Sequence, residues 1–245
     1  MIARPTYLQT GRLLAVGLSA LAMAAPAAPA LAGSFQVNPV QIVLQPDRLI
    51  TSLAIRNAEG QPVSVRVLTY RWTQVNGDDV YTPTDALVAS PPIFTIPANG
   101  RQLVRVGLRS HTPGAAYRVI FEEIPRPSTR SLIQVALRLN LPMYVLAEPG
   151  GAPAVRWSAS RDSVGDIVVE GRNGGTARAQ VTAIGLIGPA GERTALSTSM
   201  GVILPDSMRR WKVGRHPQLG AGSDLQLTIR SSSGEDRITV RLAAR

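Results

Sequence analysis

Side chains able to do chemistry are few in this chain and stand far apart. It has 2 histidines, His111 and His216, each beside turn-forming residues (Thr112-Pro113 and Pro217). A hydrolase or metalloenzyme needs a nucleophile, a base and ligands that converge on one place. With 0 cysteines, thiolate chemistry and zinc–cysteine sites are excluded. Asp78 and Asp79 follow Asn76-Gly77, but the ligand spacing of a calcium loop is missing, and a hairpin turn accounts for them better. There is no Gly-x-Ser-x-Gly elbow and no phosphate-binding loop. Trp72, Trp157 and Trp211 suit core or interface packing better than stacking on sugars or bases. The residues therefore point away from an enzyme, a cofactor and a metal.

Charge invites a different chemistry and then weakens it. The formal net charge is +10, yet Lys212 is the only lysine and the basic charge is almost all arginine. Arg56, Arg66, Arg71, Arg101, Arg105, Arg109 and Arg118 are scattered through alternating segments and form no run, so they read as solvated strand faces. Nucleic acid is not an expected partner, although a basic surface attracts acidic ones.

The elements that would carry these residues are strands. Residues 1–32 read as a cleaved signal peptide: Arg4 and Arg12, an apolar run from Leu13 to Ala25, and the small-x-small site Ala30-Leu31-Ala32. That run is short of the about 20 residues of a membrane span, so the mature product is expected to be exported without a membrane anchor. Beyond it, period-2 alternation predicts strands over Phe35–Leu44, Leu49–Arg56, Val63–Gln74, Leu103–Leu108 and Tyr117–Ile124. Asn76-Gly77 marks a tight hairpin. A turn-rich stretch from residue 148 to 153 reads as a linker between a first domain over 33–147 and a second over 154–245. The second shows strands over Val155–Ser160, Asp166–Arg172 and Ala177–Ile187, and a hairpin pairing Leu225–Arg230 with Arg237–Leu242. Two all-β sandwich domains are expected.

Leu132 to Val145 is the most informative segment. Ile133, Val135, Leu137, Leu139 and Leu141 form one large apolar face, with small or polar residues in the opposite phase. An ordinary half-buried strand alternates in the same way. Two neighbours favour something else: a polar loop with two prolines (125–131) precedes the segment, and the linker follows it. The segment is thus the last strand of its domain and a candidate sheet edge. A long apolar edge aggregates unless something covers it, and a chain that keeps one can add it to a partner.

Here the sequence resembles a family, the periplasmic chaperones of the chaperone–usher pilus pathway. The resemblance is strongest from Phe35 to Val145 and rests on Ser90-Pro91-Pro92-Ile93-Phe94, Pro97 to Gln102, Val104-Arg105-Val106, Tyr117-Arg118-Val119, Glu122-Glu123-Ile124-Pro125 and the alternating strand. It implies two immunoglobulin-like sandwiches and a non-enzymatic role. Pilus subunits, each lacking its final strand, would receive the donor strand Ile133, Val135, Leu137 and Leu139 and then pass to an outer-membrane usher. An uncovered edge of this kind also leaves open self-association of the free protein through that strand. The better-known branch anchors the subunit's C-terminal carboxylate with an arginine and a lysine. Gln41 and Pro142 stand at those positions, which resembles the archaic, spore-coat-like branch. Arg118, then Arg138, are the candidate anchors, since a guanidinium pairs well with a carboxylate. An immunoglobulin-like structural or adhesive surface protein is the alternative reading.

Overall fold

The computed structural model describes residues 35–126, 135–188 and 190–243, and among them every regular element is a strand. Ten strands build the first half: β1 (Phe35–Asn38), β2 (Ile42–Leu44), β3 (Ile50–Asn57), β4 (Val63–Val75), β5 (Asp78–Pro83), β6 (Leu87–Ser90), β7 (Ile93–Ile96), β8 (Arg101–Leu108), β9 (Ala116–Ile124) and β10 (Arg138–Val145). Eight build the second: β11 (Val155–Arg161), β12 (Ile167–Asn173), β13 (Ala179–Ile187), β14 (Arg193–Ser197), β15 (Gly201–Ile203), β16 (Ser207–Gly214), β17 (Asp224–Ser231) and β18 (Gly234–Arg241).

Alternation drives each half into two layers, because every second side chain is apolar and must leave water. In the first half, a sheet ordered β1-β3-β8-β6 faces one ordered β2-β10-β9-β4-β5, with β7 also on β4. Leu53, Ile55, Val104 and Val106 from one sheet meet Val65, Val119, Phe121 and Met143 from the other in one core. In the second half, β11-β12-β16 faces β14-β13-β17-β18, with β15 on β13. Ile167, Val169 and Trp211 there pack with Val181, Ile184 and Leu227.

The expected single strand over Phe35–Leu44 is corrected: the chain changes sheets inside it. β1 pairs antiparallel with β3, whereas β2 runs parallel beside β10. Pro39 follows β1 and has no N–H to continue a ladder, so the break falls there. The expected hairpin is present. Asn76 and Gly77, at φ 53° and 94°, connect Val75 to its partner Asp78, as a two-residue turn with both φ positive requires. Ser231 likewise pairs with Gly234 across the predicted second hairpin.

A buried asparagine pins one corner in each half. Asn57 donates through Nδ2 to the carbonyls of Gln61, Ile96 and Pro97. Asn173 donates to Ala177 and Ile203 and accepts from the N–H groups of Ala154 and Gly175. Polar groups taken out of water need such partners, and these hold loops that apolar packing cannot specify.

Candidate functional site

β10 pairs with β9 along its length, from Arg138 opposite Glu122 to Tyr144 opposite Ala116. On its other flank β2 reaches only Met143, Tyr144 and Val145. From Arg138 to Pro142, that flank has no strand beside it among the described residues. Glu123 N–H donates to the Leu137 carbonyl and Val145 N–H to the Ala115 carbonyl, so the odd-numbered residues of β10 bond β9. Arg138 and Asn140 therefore turn their N–H and C=O groups toward the open flank. Pro142, the next in phase, carries no N–H. A short edge is on offer, closed at one end by proline and by β2.

The apolar face sinks gradually into the protein's own core. Val135 is 65 % exposed, Leu137 and Leu139 are half-buried against the core, and Leu141 and Met143 are buried. The expected uniform strand is thus corrected: residues 135–137 precede the regular strand, which begins at Arg138. The Leu137 N–H explains the boundary. It donates to the Glu123 carboxylate at 3.1 Å, which diverts it from the main-chain ladder. Ile133 lies outside the described residues.

One row inward lies a cluster of arginines on aromatic rings. Arg118 stands opposite Pro142 on β9, and the exposed Gln41 immediately precedes Ile42, the partner of Met143. The guanidinium of Arg118 lies 3.9 Å from the Trp72 ring centre and 5.5 Å from that of Tyr81. Arg178, just before β13, lies 4.0 Å over Tyr144. Trp72 and Tyr144 in turn stack at 5.8 Å. The buried Nε atoms of Arg118 and Arg178 are the two buried side-chain nitrogens or oxygens without a partner among the described residues. Such a group is costly to leave unmade, and an added acceptor would relieve it. Arg138, the second expected anchor, is spoken for differently: it lies outward with its Nε 3.9 Å from Glu122, which Arg66 also holds.

The two sandwiches meet beside this cluster. Trp72, Ala116, Tyr144 and Leu204 are buried together there. Gln74 donates to the Val202 carbonyl and accepts from Leu204 N–H. Asp79 accepts from Trp72, Gln74 and Arg209. Burial alone would raise the Asp79 pKa, but those hydrogen bonds, with the Arg209 charge, hold it below the ordinary carboxylate value. Burial raises the Tyr144 pKa above that of a free tyrosine, against the opposing pull of Arg178 and Arg118. Asp79 is thereby a structural residue of the interface, in keeping with the hairpin reading of Asp78-Asp79. His111 and His216 each sit within hydrogen-bond reach of one main-chain carbonyl, those of Leu146 in a loop and Val213 near the end of β16. Arg178 was not legible in the sequence, because nothing in Gly174-Gly175-Thr176-Ala177-Arg178 marks it apart from other loop arginines.

Residues 34–151 match the model of the family described as "Pili and flagellar-assembly chaperone, PapD N-terminal domain". No curated protein matches the sequence. Among solved structures, a chain of the CsuC–CsuE chaperone–tip adhesion subunit pre-assembly complex, from archaic chaperone–usher Csu pili of Acinetobacter baumannii, aligns at TM-score 0.67. It is 18 % identical and covers 86 % of this chain and 100 % of its own. The Salmonella enterica SafA pilin complex with the SafB chaperone gives TM-score 0.58 at 12 % identity, covering 86 % and 97 %. The E. coli chaperone DraB gives 0.57 at 15 % identity, covering 86 % and 98 %. At these identities the likeness carries the fold, two immunoglobulin-like sandwiches over nearly the whole of each neighbour.

Proposed function

Because the chain belongs to the pili and flagellar-assembly chaperones, we propose that it holds pilus subunits in the periplasm by lending them the free edge of β10 and passes them to an outer-membrane usher. The observation that carries this reading is the open flank of β10, where main-chain groups of Arg138 and Asn140 meet no strand among the described residues and apolar side chains continue past the strand's end. Neighbours of the same fold include chaperones solved with a pilin or a tip adhesin, which supports the same role here. The role needs binding and release, not catalysis.

Ile133, Val135, Leu137 and Leu139 are the proposed donor positions. Full burial of one such side chain stabilises by about 1.5–3 kcal/mol, and among the described donor positions Val135 gains most, since Leu137 and Leu139 are already half-buried. Association costs subtract several kcal/mol, which leaves a hold that can be released. Arg118 is the proposed anchor for the subunit's carboxylate, supported by its orphaned Nε and its place opposite Pro142. Arg178 faces the same aromatic cluster with the same unmet donor and is proposed to assist. Gln41 and Pro142 in place of basic residues support the archaic branch, as does the likeness to the Csu complex. Residues 1–32 are proposed to be the signal peptide removed on export.

The test is co-expression with subunits encoded nearby, followed by co-purification from the periplasm. Wild-type chaperone should bring subunit down, and Arg118→Ala should lose most of it while remaining folded. Unchanged yield would remove Arg118 from the anchor, and no capture by the wild type would remove the chaperone role.

A further inference from the structure

The two sheets of the second sandwich part at one end. β11, an edge of one sheet, and β18, an edge of the other, run parallel and touch at Ala159 and Leu242, where Ala243 N–H donates to the Ala159 carbonyl at 2.9 Å. Further back along both strands, Val155 and Ile238 are not paired with each other. Burial records the separation. On β11 it falls from the buried Ala159 to the half-buried Trp157 and Val155. Towards the start of β18 it falls from Leu242 and Val240 to the half-buried Ile238 and then the exposed Asp236. Asp236 shares a rung with the buried Ile229, so this row lies on the core-facing phase. The gap is a cleft of about 520 Å³ floored by Val181 and Ile229.

One wall is held firmly and the mouth is charged. Trp157 stacks on Trp211 at 5.7 Å and lies over Gly171, where a β-carbon would come within 2.8 Å of its ring. Thr176 and Ala177 donate their N–H groups to the Ala152 carbonyl, which sets Arg178 at the Val155 end of the cleft. The buried Nε of Arg178 has no partner, and its side chain makes no ion pair among the described residues. Asp236 and Arg237 on the rim offset each other, so the net charge of the lining is that of Arg178.

We propose that this cleft binds an amphiphilic carboxylate, a medium-length alkyl chain with a carboxylate head. Its walls set the body. Valine, isoleucine and tryptophan side chains left open to water are unfavourable, and an alkyl chain laid from Val155 towards Ala159, about 13 Å at strand spacing, would cover them. Arg178 sets the head. Its Nε lacks an acceptor, and a carboxylate supplies one in the geometry that a guanidinium matches. A cationic head would meet an unpaired guanidinium, and an uncharged one would be the weaker acceptor. The volume lies within the about 300–1,000 Å³ of small-molecule pockets, which are likewise apolar with a few polar groups that fix orientation. Arg178 also faces Tyr144, yet the site does not depend on the chaperone reading, because its lining comes from the second sandwich alone.

The test is calorimetric titration of the purified protein with decanoate, and with decanol as the same body without the charge. Decanoate should bind at one molecule per chain and at least about tenfold more tightly than decanol. Arg178→Gln should weaken decanoate at least about tenfold and leave decanol as it was. Tryptophan emission should move to the blue as decanoate binds, and that shift should vanish in Trp157→Phe. No binding of decanoate by the folded wild type overturns the proposal. So does equal affinity for decanoate and decanol, or undiminished decanoate binding by Arg178→Gln. An emission shift that persists in Trp157→Phe would place the decanoate elsewhere and overturn it too. Should Arg178→Gln fail to fold, the comparison of decanoate with decanol on the wild type decides.

Discussion

The two sandwiches treat their open edges in opposite ways. On the second, β18 pairs with no strand along its outer side among the described residues, the chain bridging β11 only past its end at Leu242, and it carries Glu235, Asp236 and Arg237 in succession and Arg241 at its end, all exposed. Glu235 is tied to Arg193 and Arg230. Charges of this kind stop another strand from adding to an edge. On the first, Leu139 in the open stretch of β10 and Leu137 just before it are half-buried, and Val135 lies bare beyond them. One chain thus protects one edge and leaves another available. The difference supports the proposal that a partner binds at β10.

Removing the support under β10 should have the largest effect. Phe121 is fully buried on β9 opposite Leu139, and Phe121→Ala should cost about 3–5 kcal/mol, seen as a lower urea midpoint and as loss of subunit capture. Arg118→Ala comes next. Its stacking on Trp72 contributes about 0.5–2 kcal/mol, so stability should fall only modestly while capture falls strongly. Arg138→Ala, whose contact with Glu122 is an exposed one, should change both little.

The pH dependence of the interface separates it from the edges. Asp79 has a lowered pKa in the folded state, so its stabilisation is present above the ordinary carboxylate value and is lost as pH falls through the lower folded value. Asp79→Asn should therefore melt below the wild type at pH 7, and the gap should close as pH drops below about 4. The smallest effect belongs to the protected edge: Arg237→Ala on β18 should shift stability by no more than about 0.5 kcal/mol.

Local chemistry wrote some of this into the sequence openly. Asn76-Gly77 fixed its hairpin because both residues accept a positive φ, and period-2 alternation marked β3, β4, β8 and β9. Short strands escaped notice: β6 and β7 have four residues each and β15 has three, too few for alternation to register. The change of sheet at Pro39 was missed because the apolar pattern continues on either side of it. The apolar face from Val135 onward was legible, but not its descent into the core, which depends on how far β2 reaches along β10. Arg178 was invisible for a related reason. Its role comes from Tyr144, a residue of the other sandwich that only folding brings beneath it.

The central claim is that β10 is an available edge whose upstream apolar residues wait for a subunit. Two variants on the same face test it together. Val135→Glu adds a charge to an exposed position, so the free protein should melt within a degree or two of the wild type and yet lose subunit in periplasmic co-purification. Leu141→Glu, six residues on and buried, should unfold the first sandwich outright. Collapse of the free protein with Val135→Glu, or full subunit capture by it, would contradict the account.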